Sequence, residues 1–332
     1  MKQVKFITGL MAFGVVSLFA GCGEKENEMT KVTLNEVAHS IFYAPQYVAL
    51  ENGYFTQEGL DLDLVTGYGA DKTMAAVISG EAQIGFMGAE ASVYAYLEGA
   101  NDPVINFAQG TQRAGNFLVA REEMADFQWS DLKGKEVLGG RKGGMPEMVF
   151  EYILQENGLD PAKDLSIDQS IDFGSTAAAF SGGKGEFTVE FEPAATTLEK
   201  NGDGFVVASL GVDSGYVPYT SYSAKTSYVE KHPEIIQAFT DGLQKGVDYV
   251  NSHTAEEIAK VIQPQFKEND LDTITRIVER YQSQDTWKEN LVFEKESFEL
   301  LQAILESAGE LEKRADYEKL VTTIYAKEAM KK

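Results

Sequence analysis

The chain has 332 residues, with 29 basic against 52 acidic, for a formal net charge of −23. A surface this acidic repels phosphate backbones and excludes nucleic acid as a partner. One cysteine and three histidines exclude an internal disulfide framework and a Cys/His zinc cluster, and 43% apolar residues exclude wholesale disorder.

Lys2 and Lys5 precede an uncharged run, Phe6–Ala20. It is shorter than the roughly 20 apolar residues that span a bilayer, and it suits a secretory signal. Ala20 and Gly21 are small, and the sole cysteine, Cys22, follows. This stretch resembles a bacterial lipoprotein box, departing from it at Phe19, where an aliphatic residue is usual. The resemblance implies an extracytoplasmic protein held on the cell membrane by lipid on Cys22, each buried methylene contributing about 0.8 kcal/mol. Residues 1–21 read as signal peptide. Residues 22–30 are polar and read as a flexible tether.

Short strand-type and helix-type runs then alternate. Lys31–Ala38 reads as a strand, Pro45–Glu51 as a helix with proline in its first turn, and Leu60–Thr66 (LDLDLVT) as a period-two strand. Ala70–Ser79 is a helix stopped by Gly80, Gln83–Met87 a strand, Ala89–Leu97 a helix and Val104–Ala108 a strand. The rhythm restarts with strands Phe117–Arg121 and Glu136–Leu138, the glycine-rich turn Gly139–Gly144 and the helix Met145–Asn157. Further strands are expected at Ser166–Ile171, Phe187–Val189, Phe205–Ala208 and Tyr219–Ala224, with helices Ser175–Phe180 and Pro193–Lys200. Only helices follow. Lys225–His232 reads as a surface helix, Thr254–Glu257 is a capping box, and Pro233–Val250, Leu271–Tyr281, Ser297–Ser307 and Tyr317–Tyr325 carry apolar residues at helical spacing.

Two such units predict an α/β protein with mostly parallel sheets in two lobes. Residues 31–115 are expected to form the first part of lobe 1, 116–215 lobe 2, and 216–332 the return to lobe 1 with a C-terminal helical tail. Ligands of open α/β sheets bind beyond the carboxyl ends of the strands, so the loops there are the candidate site.

Several segments resemble a known family. The run Ala44–Val65 (APQYVALENGYFTQEGLDLDLV) is similar to the opening of extracytoplasmic solute-binding proteins of the sulfonate-binding and thiamine-pyrimidine-precursor type. GEAQIGF (Gly80–Phe86), MGAEA (Met87–Ala91), FLVAR (Phe117–Arg121), SDLKGKEV (Ser130–Val137), GGRKGGMPEM (Gly139–Met148) and FEPAAT (Phe191–Thr196) follow in that family's order. The resemblance implies a type II periplasmic-binding fold. It also implies a hinge between the lobes, a small-molecule ligand such as a sulfonate or a pyrimidine precursor, and an ABC transporter permease as partner. No cofactor or metal is implied, and a monomer is expected. An enzyme branch on the same fold uses a cysteine cluster, and this chain has no cysteine after Cys22.

Candidate ligand contacts follow by position. Ser40, Phe42 and Tyr43 line the first loop, and the two aromatics fit either a cleft or a lobe core. Because neighbours on an extended segment point to opposite sides, both cannot face inward from one. His39 beside them reads as a hydrogen-bonding loop residue. Gly143, Gly144 and Met145 open a helix whose free N–H groups favour an anion, with Arg141 as a further anion partner. Gly69, Asp71 and Glu90 lie at loop ends, where Asp71 and Glu90 read as helix-terminal caps. Glu190 and Glu192 share a face about Phe191, and Glu192 is the candidate acceptor for a ligand amine. Phe173 sits in another strand-end loop. Arg113, Tyr216 and Tyr219 lie near the expected hinge. The glycine turn argues for an anion and the FEPA segment for a hydrogen-bond donor, so both ligand types stay open.

Overall fold

In strand β1 (Thr30–Glu36), Val32 and Leu34 are fully buried while Thr30 and Lys31 are exposed. The computed structural model describes residues 29–140, 142–171 and 173–332. The leader, Cys22, nearly all of the tether and Arg141 lie outside the described residues. Nine more strands follow: β2 (Leu60–Thr66), β3 (Ile84–Met87), β4 (Val104–Thr111), β5 (Asn116–Ala120), β6 (Glu136–Leu138), β7 (Ser166–Asp168), β8 (Phe187–Phe191), β9 (Phe205–Ser209) and β10 (Thr220–Lys225).

They form two five-stranded sheets, β2-β1-β3-β10-β4 and β7-β6-β8-β5-β9. β2, at an edge, keeps Asp61 and Asp63 exposed, whereas the interior strands β3 and β5 are buried throughout. The chain passes from the first sheet to the second between Thr111 and Asn116, and returns between Ser209 and Thr220. This is the α/β, type II periplasmic-binding architecture expected from the sequence.

As expected of mostly parallel sheets, four of the five strands in each sheet run in one direction, and one is reversed. β1 is parallel to β2 and β3, and β6 to β7 and β8. However, β10 runs antiparallel to β3 and β4, and β5 antiparallel to β8 and β9. β5 and β10 each arrive from the opposite sheet, so no helical crossover within one sheet sets their direction.

The helices follow the apolar spacing closely, with Ala70–Ser79, Met145–Glu156, Leu271–Ser283 and Lys295–Ser307 within two residues of their expected bounds. The Thr254/Glu257 capping box is formed reciprocally. The surface helix read over Lys225–His232 spans Thr226–Lys231. The single helix expected over Tyr317–Tyr325 is instead two, Tyr317–Leu320 and Ile324–Ala329. Val321 between them pairs with Asn106, and the Thr322 N–H donates to the Asn106 carbonyl at 2.9 Å. β4 is an edge strand with backbone groups to satisfy, and the β-branched run Val321-Thr322-Thr323 fits that edge better than a helix. No helix among the described residues is long and apolar enough to cross a membrane.

The 20-residue helix Pro233–Ser252 packs on helix Ala44–Glu51, which leads out of the β1 loop. The approach is close because Gly246 has no side chain: a Cβ there would lie 2.2 Å from the Pro45 carbonyl oxygen. Alanine would gain about 1 kcal/mol of helix propensity, but a backbone oxygen cannot rotate aside. Gly246→Ala is therefore expected to lower stability by about 1–3 kcal/mol in urea unfolding. A stabilised variant would refute the close approach.

Candidate functional site

The loop after β1 is built on a buried acid. Glu36 is fully buried at the strand's end. Its carboxylate accepts from Gln46 Nε2 at 2.7 Å, Tyr47 Oη at 2.8 Å and Thr66 Oγ1 at 3.1 Å, and pairs with His39 Nδ1 at 2.8 Å. This bond with Glu36 raises the pKa of His39, whose other nitrogen meets the Gln265 carbonyl at 2.9 Å. Ser40 Oγ accepts from the Phe42 N–H at 3.3 Å and donates to the Glu192 carbonyl at 3.0 Å, linking the two sheets. Ile41–Tyr43 is a 3₁₀ turn and not the extended segment expected. The turn brings Phe42 and Tyr43 inward together, at 0% and 3% exposure.

Phe42 then sits at the sheet junction. Its ring centroid lies 5.7 Å from Phe191, 5.8 Å from Tyr219 and 5.2 Å from Tyr281. Gly115, on the first crossing, leaves the room these rings need, since a Cβ there would lie 2.7 Å from both Phe42 and Phe191. Tyr43 faces Phe86, beside a void of about 10 Å³, space for roughly one water. Every residue that lines that void belongs to the first-sheet half, and none to the glycine turn.

Glu90 follows β3, and Gly88 lets its carboxylate fold back, for a Cβ on Gly88 would fall 2.0 Å from Glu90 Oε2. The side chain is 3% exposed, and the Met145 N–H, at the start of helix Met145–Glu156 in the other half of the chain, offsets part of the rise that burial gives its pKa. Gly144, the N-cap, offers that helix no side chain. Gly143 N–H donates to Glu147 Oε2 at 3.1 Å, so one amide of the turn expected to receive an anion already serves the chain's own carboxylate. Burial pushes Glu90 up to about 7 and Glu147 up to about 8. Glu90 Oε2 is buried without a partner.

Asn116 and Tyr219 stand where the two crossings meet the sheets. Tyr219 Oη donates to Asn116 Oδ1 at 2.6 Å, and Asn116 Nδ2 is buried without a partner. Arg113 ties the crossings together: its Nη1 donates to the Gly211 carbonyl at 3.0 Å and its guanidinium lies 4.2 Å over the Tyr216 ring. Glu192, 1% exposed, is bound within the protein. Thr196 donates to it through N–H and Oγ1, both at 2.9 Å, and Arg280 Nη1 lies 2.5 Å away. Burial raises its pKa, while Arg280 and Thr196 draw it back. Glu190 is likewise buried, accepting from Thr188 Oγ1 at 2.6 Å.

The structure therefore gathers Ser40, Phe42, Tyr43, Glu90, Met145 and Glu192 at the junction, with Gly143 and Gly144 at its edge and Arg113 on the crossings. Gly69 and Asp71 lie elsewhere, in the loop after β2, with Asp71 exposed in the first turn of its helix. Phe173 opens a 3₁₀ turn, Phe173–Ser175, and its side chain lies outside the described set. Sequence reasoning missed Glu36, Asn116, Arg280 and Tyr281. Tyr281 Oη donates to the Gly115 carbonyl at 3.1 Å. Asn116, a polar residue just before the apolar FLVAR strand, was the one detectable signal.

The family model described as NMT1/THI5 like matches residues 41–257. The YtlA protein of Bacillus subtilis is 46% identical over 302 residues, spanning 91% of this chain and 90% of YtlA. This chain belongs to the NMT1/THI5-like family. Members of the fold with solved structures include the ligand-binding component of an ABC-type import system from Staphylococcus aureus with zinc bound. It has a TM-score of 0.74 and 16% identity, covering 91% of this chain and 99% of that one. The alkanesulfonate-binding protein SsuA of Xanthomonas axonopodis, bound to MOPS, has a TM-score of 0.72 and 16% identity over 89% of this chain and 99% of its own. This NMT1/THI5-like chain has no grouping of three or more His, Cys, Asp or Glu placed to hold a metal among its described residues.

Two stability tests follow from the buried acids. Folding raises Glu90 from 4.5 to about 7, so the folded state holds the proton more tightly. The cost of its charge is absent below the unfolded value and grows as pH rises through 7. Glu90→Gln removes the ionisable group at nearly the same volume, and should gain on the order of 2–3 kcal/mol at about pH 8 and almost nothing at about pH 4. An equal gain at both would exclude a buried ionised carboxylate. Arg280→Ala strands Glu192, and chemical unfolding should show a loss of about 3–5 kcal/mol. A loss below about 1 kcal/mol would make the pair a surface-type bridge.

Proposed function

We propose that this chain is the solute-capturing lipoprotein of an ABC importer, anchored through Cys22 outside the membrane, and a binder rather than an enzyme. The observation that carries the reading is the pair of short crossings, Thr111 to Asn116 and Ser209 to Thr220, pinned to each other by Arg113. Two lobes, residues 31–115 with 216–332 and residues 116–215, would hinge there. Polar groups from both meet at the carboxyl ends of their strands, where α/β sheets receive ligands. A solute that touches both lobes binds the shut form better than the open one and shifts the equilibrium by that difference. Micromolar affinity corresponds to about 8 kcal/mol net, within reach of a few buried polar contacts and one stacked ring. The ligand-binding component from Staphylococcus aureus and the sulfonate-binding SsuA share the fold, and the permease partner is carried over from such systems.

Native mass spectrometry of protein purified from its own cells is expected to find one small molecule per chain. Small-angle scattering should show a smaller radius of gyration when that molecule is returned to stripped protein. Detergent phase partitioning is expected to place the mature protein in the detergent phase and Cys22→Ala in the aqueous phase. Turnover of the captured molecule by pure protein would overturn the binding assignment.

A further inference from the structure

Helix Leu271–Ser283 belongs to the first-sheet half by its packing. Ile274, Ile277 and Val278 are fully buried, and the helix packs on Ala255–Ile262. Gln282 Nε2 donates to the Val250 and His253 carbonyls at 3.2 and 3.1 Å. Its other face is polar and meets residues 116–215. Asp270, the N-cap, pairs with Lys200 at 3.5 Å, and Thr273 Oγ1 accepts from Lys200 Nζ. Arg276 Nη2 lies 3.8 Å from Glu199 Oε2. Arg280 reaches Glu192 at 2.5 Å and Glu199 at 2.8 Å, with its guanidinium 5.1 Å from the Phe117 ring centre. Gln284, just past the helix, accepts from Ser209 Oγ at 2.7 Å and donates to the Ala114 carbonyl at 3.0 Å. Steps of three and four residues put positions 270, 273, 276, 280 and 284 on one helix face.

These contacts are graded by their distance from the crossings. Gln284 bonds Ala114 on the first crossing and Ser209 where the return begins. Asp270 lies about 20 Å further along the helix, at a rise of about 1.5 Å per residue. Exposure climbs the same way, from 5% at Gln284 to 19% for the Arg280 side chain, 53% for Arg276 and 69% for Asp270. A rotation about the crossings moves Gln284 least and Asp270 most, so the contacts that travel furthest are the ones already in water. Exposed pairs part at little cost. Arg280 and Glu192 are largely withdrawn from water and hold each other strongly.

We infer that this helix face is a closure latch. It holds the halves together without a solute, they part by unzipping from Asp270 toward Gln284, and Arg280 sets the equilibrium. This rests on the hinged, solute-binding reading above and goes beyond it. The solute stabilises a shut form that the chain populates by itself, and weakening the latch lowers apparent affinity by the fraction of shut form lost.

Small-angle scattering tests the latch with no ligand present, on the full mature chain stripped of solute and carrying Cys22→Ala to free it of lipid. At low salt the unaltered latch is expected to give the radius of gyration of the shut form. Arg280→Gln, checked for folding by circular dichroism, should raise the open-to-shut ratio at least about tenfold, read as a larger radius. Arg276→Glu combined with Lys200→Glu sets like charges against Glu199 and Asp270 at exposed positions. This double variant should also expand, and contract again at about 1 M salt, where the Debye length is about 3 Å. An unaltered chain already open at low salt overturns the inference, as do variants no larger than the unaltered chain. If Arg280→Gln fails to fold, the double variant and its salt response decide alone. A small-molecule extract of the source cells separates the latch from the reading beneath it. An extract that contracts an unaltered chain found open keeps solute binding and removes the latch. An expanded variant that the extract draws back to the shut radius supports both. An expanded variant that it leaves expanded keeps the latch and removes closure on a solute.

Discussion

A carboxylate taken out of water must be met by donors, and the junction between the sheets is arranged around that demand. Glu36 has its demand met in full, by Gln46, Tyr47, Thr66 and His39, all from the same half of the chain. The result is a stiff floor for the loop that carries Ser40, Phe42 and Tyr43. Glu192 is met by Thr196 from its own half and by Arg280 from the C-terminal region. Glu90 is met only partly, with Oε2 buried and without a partner. Desolvation of this kind costs several kcal/mol per ion when unmatched, so each acid dictates where its neighbours stand.

This matching differs in range. The Glu36 network ties elements near one another in space and in one half of the chain. Ser40 to Glu192, Tyr94 to Met148, Arg280 to Glu192 and Glu199, Tyr281 to the Glu192 N–H, and Ser209 to Gln284 join residues 116–215 to the rest of the described chain. Most are single hydrogen bonds of about 1 kcal/mol net, and the buried Arg280–Glu192 pair is the strong one. Arg113, stacked on Tyr216 and bonded to Gly211, holds the two crossings side by side.

How far these features could be read in advance depended on range. Leu60–Thr66 and Ala70–Ser79 were legible to the residue, because period-two and period-3.6 patterns record which face is buried. The segment Ile41–Tyr43 was not. Its pattern fits an extended loop, and only the packing of Phe42 against Phe191 and Tyr281 selects the tight turn. Val321 misled in the same way, since the exposed edge of β4 that recruits it lies more than 200 positions earlier. Glu192 was legible as a hydrogen-bond acceptor at a strand end, but neither its burial nor its partner was, because Arg280 sits on a helix whose pattern records only its apolar face.

By itself, the sequence determined the α/β alternation, the restart near residue 116, the acidic character and the candidate loops at strand ends, all consequences of local pattern and composition. Only the tertiary structure decided that Phe42 and Tyr43 both turn inward, that β5 and β10 run against their neighbours, and that the glycine turn spends an amide on Glu147. Each of these depends on which distant donor or ring arrives at a buried group, and a linear pattern carries the burial of a residue without the identity of what buries it.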